Sequence, residues 1–207
     1  MTQCIGVGEL AMVCAGMSPH CEFAMVRKSI SRTAIASGPI VRLDWRMITI
    51  AYATETGIAA NLADETQEKL TEFLFRSEVI DLGELKVPKL KHKTVILAFV
   101  STWGGGDPPS SVWDFYEELS EKEPIGLAGM EYAIFSLGDS TYEHFCQFGK
   151  DLDAQLERHG ARRLLSRVDC DVDFKDDYEE WVFQIVCTLI GSSIEDYKES
   201  SDLEELV

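Results

Sequence analysis

The chain has 207 residues, is 45% hydrophobic and carries a formal net charge of −17. That length suits one domain with a short appendage, and no apolar run reaches the length of a membrane span. The acidic balance excludes nucleic acid as a natural partner, because phosphate backbones need a basic footprint, and favours steering toward a basic partner.

Residues 1–46 stand apart in charge, with five basic and three acidic side chains, a net +2 that leaves −19 for the remainder. This stretch is rich in Met, Cys, Ser and Ala and has no clean helical or strand period. It bears a faint likeness to an organelle transit peptide but has few arginines, and it lacks an uninterrupted signal-peptide core. We expect a poorly ordered extension outside the domain, with Met47, directly ahead of the first strand, as an alternative start. The six cysteines (Cys4, Cys14, Cys21, Cys146, Cys170 and Cys187) form no C-x-x-C pair. Free thiols in a reducing, cytoplasmic setting and no metal site are therefore expected.

From residue 47 the pattern is regular. "MITIAYA" (47–53) predicts a buried strand, and residues 58–74 predict a helix with Leu62, Thr66, Leu70 and Phe73/Leu74 on one face. "SEVIDL" (77–82) and "KTVILAFV" (93–100) predict the next two strands. A glycine-rich loop leads to a helix over about 112–120. "MEYAIFSL" (130–137) predicts a fourth strand, followed by a helix carrying Phe148, Leu152 and Leu156. "ARRLLSRV" (161–168) predicts a fifth strand, and residues 177–190 a closing helix with Tyr178, Trp181, Ile185 and Leu189 on one face. Residues 192–207 read as an acidic, frayed tail. Strands alternating with helices predict a parallel sheet covered on both faces, with ligands bound outside the carboxyl ends of the strands.

Three loops leave such strand ends. "TETG" (54–57) joins a strand to a helix N-terminus, where two hydroxyls and backbone N–H groups can cradle an anion. No lysine follows the glycine, so the loop suits a phosphate monoester better than a triphosphate with magnesium; by itself it suits ordinary helix capping equally well. "STWGGGDPPSS" (101–111) places Trp103 where glycines let a backbone approach a ligand closely. "LGDSTYEHF" (137–145) offers Tyr142. A phosphate pocket beside two exposed aromatics describes a flavin mononucleotide (FMN) site.

"YATETGIAANLA", "STWGGGDPPSSVWDFYEEL" and "LGDSTYEHFCQFGKDLDAQLERHGARRL" together resemble the flavodoxin-like FMN domain of the diflavin reductases, most of all that of sulfite reductase flavoproteins. The resemblance implies an α/β three-layer sandwich over residues 47–191, with a five-stranded parallel sheet in the order 2-1-3-4-5 and helices on both faces. It implies that Thr54, Glu55, Thr56, Gly57, Ile58 and Ala59 hold the phosphate end, although Ile58 stands where a polar Thr or Asn is usual. It implies that Ser101, Thr102, Trp103, Gly104, Gly105 and Gly106 form one wall around the ring, and Leu137, Gly138, Asp139, Tyr142, His144, Phe145 and Cys146 the other. Asp171 corresponds to an acidic residue near the flavin. Family behaviour implies that the peptide at Gly104 can flip to offer its carbonyl to reduced flavin N5.

About 145 residues are used by this module, so the expected function is a monomeric electron carrier with non-covalent FMN and no catalytic residue of its own. It would take electrons from a separate FAD/NAD(P)H-type or ferredoxin-type reductase and pass them to a basic-surfaced acceptor protein. Two alternatives stay open: an FMN-dependent NAD(P)H oxidoreductase resembling quinone reductases, and an interaction module of the same fold without cofactor.

Overall fold

The structure, a computed structural model, describes residues 46–204, with side chains as far as residue 191. The expected extension lies outside the described residues except for Arg46, and the side chains of the acidic tail lie outside them altogether. The chain divides into two units: one, Trp45–Trp181, carries the sheet and all three loops, and the other includes Val182–Val207.

In chain order the elements are β1 (Ile48–Ala53), α1 (Ile58–Glu72), β2 (Ser77–Asp81), β3 (Val95–Ser101), α2 (Trp113–Glu121), β4 (Glu131–Leu137), α3 (Gln147–Arg158), β5 (Arg162–Arg163), β6 (Val168–Cys170) and α4 (Lys175–Glu204), with short 3₁₀ turns at 82–84, 87–92 and 110–112. The strands pair in parallel in the order β2-β1-β3-β4-β5, and β6 also pairs with β4. This is the expected order.

β3 and β4 are apolar nearly throughout because both of their faces are covered. On one face Ala51, Ala53, Ile96, Ala98, Val100, Tyr132 and Ile134 pack with Phe115 and Leu119 of α2 and with Phe148, Leu152 and Leu156 of α3. On the other, Phe99 and Phe135 (centroids 5.8 Å apart) meet Tyr178 and Trp181 from the start of α4 at 5.2–6.1 Å. Burial of each such aromatic contributes about 1.5–3 kcal/mol. α1 covers this second face with Ala59, Leu62, Ala63, Thr66 and Leu70, and the Thr66 hydroxyl lies 3.1 Å from that of Tyr178.

α1 stops at Glu72 rather than Leu74, because Leu74 takes φ 65°, incompatible with a continuing helix. The expected fifth strand, 161–168, is broken in two. Arg162–Arg163 pair with Glu131–Tyr132 and Val168–Cys170 with Phe135–Leu137; the Leu164 N–H still reaches the Tyr132 carbonyl at 2.7 Å, and residues 165–167 leave the ladder. The arginines explain the break: they turn to carboxylates instead of lining a buried strand. Arg163 and Arg167 donate to Asp153 of α3 at 2.8 and 2.7 Å, Arg163 also donates to Glu157 at 2.7 Å, and Arg162 pairs with Glu131. α4, expected over 177–190, runs on to Glu204; residues 192–204 contain no proline to stop it.

Candidate functional site

Because β1, β3 and β4 are parallel and adjacent, the loops that follow them open at one edge of the sheet. They surround a cavity of about 610 Å³, within the range of cofactor sites.

The first loop is set by Gly57, whose φ of 89° only glycine adopts without strain. Its N–H donates to the Thr54 hydroxyl at 3.0 Å, so that hydroxyl keeps its own proton to donate elsewhere. Gly57 also occupies the N-cap position of α1 and brings no capping side chain. The first-turn N–H groups of α1 thus have neither a carbonyl four residues back nor a side-chain acceptor, leaving donors and a positive dipole end for an anion. Ile58 is 43% exposed at this point, an apolar group where another donor would be useful.

The second loop is closed on itself. Trp103 and Asp107 exchange both N–H···O bonds at 2.9 Å, and the Gly106 N–H reaches the Trp103 carbonyl at 3.1 Å. Gly104 (φ 52°) and Gly106 (φ 111°) permit so tight a turn. The turn presents the Trp103 indole outward, 55% exposed. Ser101 donates to the Ala53 carbonyl at 3.2 Å, and Thr102 Oγ1 accepts from the Phe148 N–H at 3.2 Å, tying this loop to β1 and α3.

The third loop is built around carboxylates. Asp139 accepts from the Thr141 N–H (2.9 Å) and hydroxyl (2.5 Å), while its carbonyl accepts from the Tyr142 N–H at 3.1 Å. This leaves Tyr142 65% exposed. Asp171, after β6, accepts from the Ser140 N–H (3.2 Å), the Ser140 hydroxyl and the Val172 N–H (2.8 Å). The Ser140 hydroxyl, with those N–H groups, holds the Asp171 carboxyl below its usual range. Cys146 caps α3 at φ 53°, fully buried, its thiol turned toward the carbonyls of Ser136 (3.4 Å) and Cys170 (3.7 Å); burial pushes that thiol's pKa up.

Most of the expected site residues meet on the wall of this single cavity: Glu55, Thr56, Ile58, Ser101, Thr102, Trp103, Gly104, Leu137, Gly138, Asp139, Tyr142, His144, Phe145, Cys146 and Asp171. Thr54, Gly57, Ala59, Gly105 and Gly106 are not on the wall. Thr54 and Gly57 shape the turn beneath it, and Ala59 is buried in the core. Gly106 lies against the third loop, where an added Cβ would come 2.9 Å from that of His144. The carboxylates of Glu55 and Asp171 are engaged in fastening loops rather than left free; Glu55 accepts from the Ser110 N–H at 2.5 Å and so joins the first loop to the second. Val172 and Phe174 line the cavity unforeseen. Their signal was the end of β6, a further parallel strand opening at the same edge.

Among the described residues no lysine or arginine lines the cavity. The wall therefore brings together neutral N–H and O–H donors at a helix N-terminus and two exposed aromatics, Trp103 and Tyr142. This donor set fits a phosphate monoester attached to a planar ring, as in FMN.

A family model described as Flavodoxin matches residues 50–181. The chain is 37% identical over 135 residues to the sulfite reductase [NADPH] flavoprotein alpha-component of Bacillus subtilis, covering 65% of this chain and 22% of that protein. It is 33% identical over 161 residues to the corresponding component of Yersinia pestis, covering 78% and 26%. It thus spans about a quarter of the length of these curated relatives. Among solved structures, flavodoxin 1 of Bacillus cereus superposes with a TM-score of 0.61 at 25% identity, covering 70% of this chain and 97% of that one. A flavodoxin of Streptococcus pneumonia TIGR4 shares the fold with a TM-score of 0.62 at 24% identity, covering 70% and 99%. The matched stretch holds β1 from Ile50, the rest of the sheet and all three loops, and the chain belongs to the flavodoxin family, whose fold binds FMN.

Proposed function

We propose that this chain is an electron-transfer flavoprotein domain that relays one or two electrons on non-covalent FMN between a separate reductase and an acceptor protein. The observation that carries the reading is a single cavity in which an uncapped helix N-terminus and two exposed aromatics converge.

In this reading Thr56 and the first-turn N–H groups of α1 bind the phosphate, above the turn that Thr54 and Gly57 shape; the helix dipole takes the place of a cationic side chain. Trp103 and Tyr142, both on the cavity wall, would flank the ring and exclude water from its faces. FMN supplies the one- and two-electron redox chemistry when bound. Gly104 has no Cβ to oppose rotation of its peptide, so its carbonyl can turn inward to accept a hydrogen bond. The carboxylates of Glu55, Asp139 and Asp171 ring the cavity and oppose any gain of negative charge inside it. Likeness to sulfite reductase flavoprotein components supports a donor linked to NADPH and an acceptor in a reductive pathway. The net charge of −17 supports a basic docking surface on that acceptor.

Titration of the chain with FMN, followed by flavin fluorescence, tests the binding step: one-to-one quenching is expected, with riboflavin, which lacks the phosphate, bound more weakly. Absence of quenching, or equal affinity for both, overturns the reading. NADPH with an added FAD-containing reductase should reduce the flavin, and NADPH by itself should not.

A further inference from the structure

A second, shallower recess of about 470 Å³ lies beside the Trp103 turn, lined by Glu55, Trp103, Asp107, Pro108, Ser110 and Trp113. Two large indoles are exposed here, Trp103 at 55% and Trp113 at 46%. The cation–aromatic contacts among the described residues are Lys69 over Tyr178 and Lys150 over Phe145, so no cation among the described residues lies over either indole face. Two carboxylates, Glu55 and Asp107, complete the rim. The Ser110 N–H holds the Glu55 carboxyl below its usual range, so it is charged at neutral pH. The surrounding chain is one-sided: residues 94–121 contain five acidic side chains and no lysine, arginine or histidine.

Indole faces together with carboxylates recognise an organic cation, and a planar guanidinium uses both, stacking on the ring while donating to the carboxylate. Resting on the proposed role as an electron relay, we infer that this recess seats an arginine side chain of the docking partner protein. Glu55 and Trp103 line both cavities. An arginine bound outside Trp103 therefore shares a wall with the cofactor site, and brings the partner's surface next to the ring at the point where electrons leave. An acidic surface by itself would attract any basic protein, whereas the indole pair selects a particular side chain and position.

The test uses the full chain and a short arginine-containing peptide amide as probe, with its citrulline counterpart as a neutral control of the same shape. Binding is followed through the indole N–H resonance of Trp103, which lines the recess and is retained in both variants below. The arginine peptide should shift that resonance saturably, and citrulline should not. Trp113→Leu should weaken peptide binding about tenfold, and Asp107→Asn by a smaller factor, with FMN affinity unchanged in both. Because Asp107→Asn alters only an exposed side chain, it keeps the test decisive if Trp113→Leu fails to fold. Equal binding of arginine and citrulline peptides, or unchanged arginine binding in both variants, overturns the inference. A parallel FMN titration separates the two ideas: a chain that binds FMN but ignores the peptide refutes only the arginine seat, and a chain that does not bind FMN refutes the flavin reading.

Discussion

Asp153 fastens α3, and with it the end of the third loop, to the far edge of the sheet, and its removal gives a worked test of that arrangement. Its side chain is 9% exposed and accepts from the Tyr132 hydroxyl at 2.8 Å, Arg163 Nε at 2.8 Å and Arg167 Nη1 at 2.7 Å. Breaking a buried ion pair commonly costs about 3–5 kcal/mol because the surviving charge is stranded. Here no partner is stranded: Arg163 keeps Glu157, Arg167 keeps Asp169, and Tyr132 keeps the Asp153 carbonyl at 3.2 Å. Asp153→Ala should therefore cost about 2–3 kcal/mol, lowering Tm by about 4–12 °C for a domain of this size. Asp153→Asn, which retains the volume and one acceptor, should cost less.

The pH dependence has a definite sign. Burial pushes the Asp153 carboxyl up, but hydrogen bonds from Arg163 and Tyr132 and the charges of Arg163 and Arg167 outweigh it and hold the group below its usual range. A depressed folded-state pKa contributes stability that is fully present above the unfolded value of about 3.9 and is lost as pH falls through the folded value. In urea unfolding followed by circular dichroism, the gap between wild type and Asp153→Asn should be constant near neutrality and should close on acidification below about pH 4. A loss under about 0.5 kcal/mol for Asp153→Ala, or a gap that widens in acid, would refute the reasoning.

Thr56→Val should weaken FMN binding about tenfold while sparing riboflavin, and Ile58→Thr should strengthen it by a smaller factor, both read by fluorescence titration. Gly149→Ala should destabilise the fold by about 1–3 kcal/mol or more, because the new Cβ would lie 2.1 Å from Ser136 Oγ and 2.5 Å from Ser136 Cβ; chemical denaturation should show the loss largely recovered in Gly149→Ala/Ser136→Gly. Burial raises the thiol pKa of Cys146 and pushes that of Cys170 up to about 12. Iodoacetamide at pH 8 should therefore label these two only after unfolding, as checked by mass spectrometry.

Much of this molecule was legible in its residues. The unbroken apolar runs at β1, β3 and β4 require a sheet covered on both faces, and the helix-spaced Leu62, Thr66 and Leu70 mark one of the covers. Gly57, Gly104 and Gly106 mark turns that other residues would strain. The break between β5 and β6 was not legible, because "ARRLLSRV" satisfies a strand pattern locally and is interrupted by Asp153, a residue eight or more positions earlier on another element. Asp171 and Glu55 carry the right chemistry for a ligand contact, yet their acceptors go to Ser140, Val172 and Ser110. A one-dimensional pattern reports which side chains prefer burial and where the backbone must turn, since both follow from the residue and its near neighbours. Which donor a carboxylate meets, and that Trp103 and Glu55 serve two cavities, depend on loops brought together from strands that are adjacent in space and distant in the chain, and only the tertiary structure decides them.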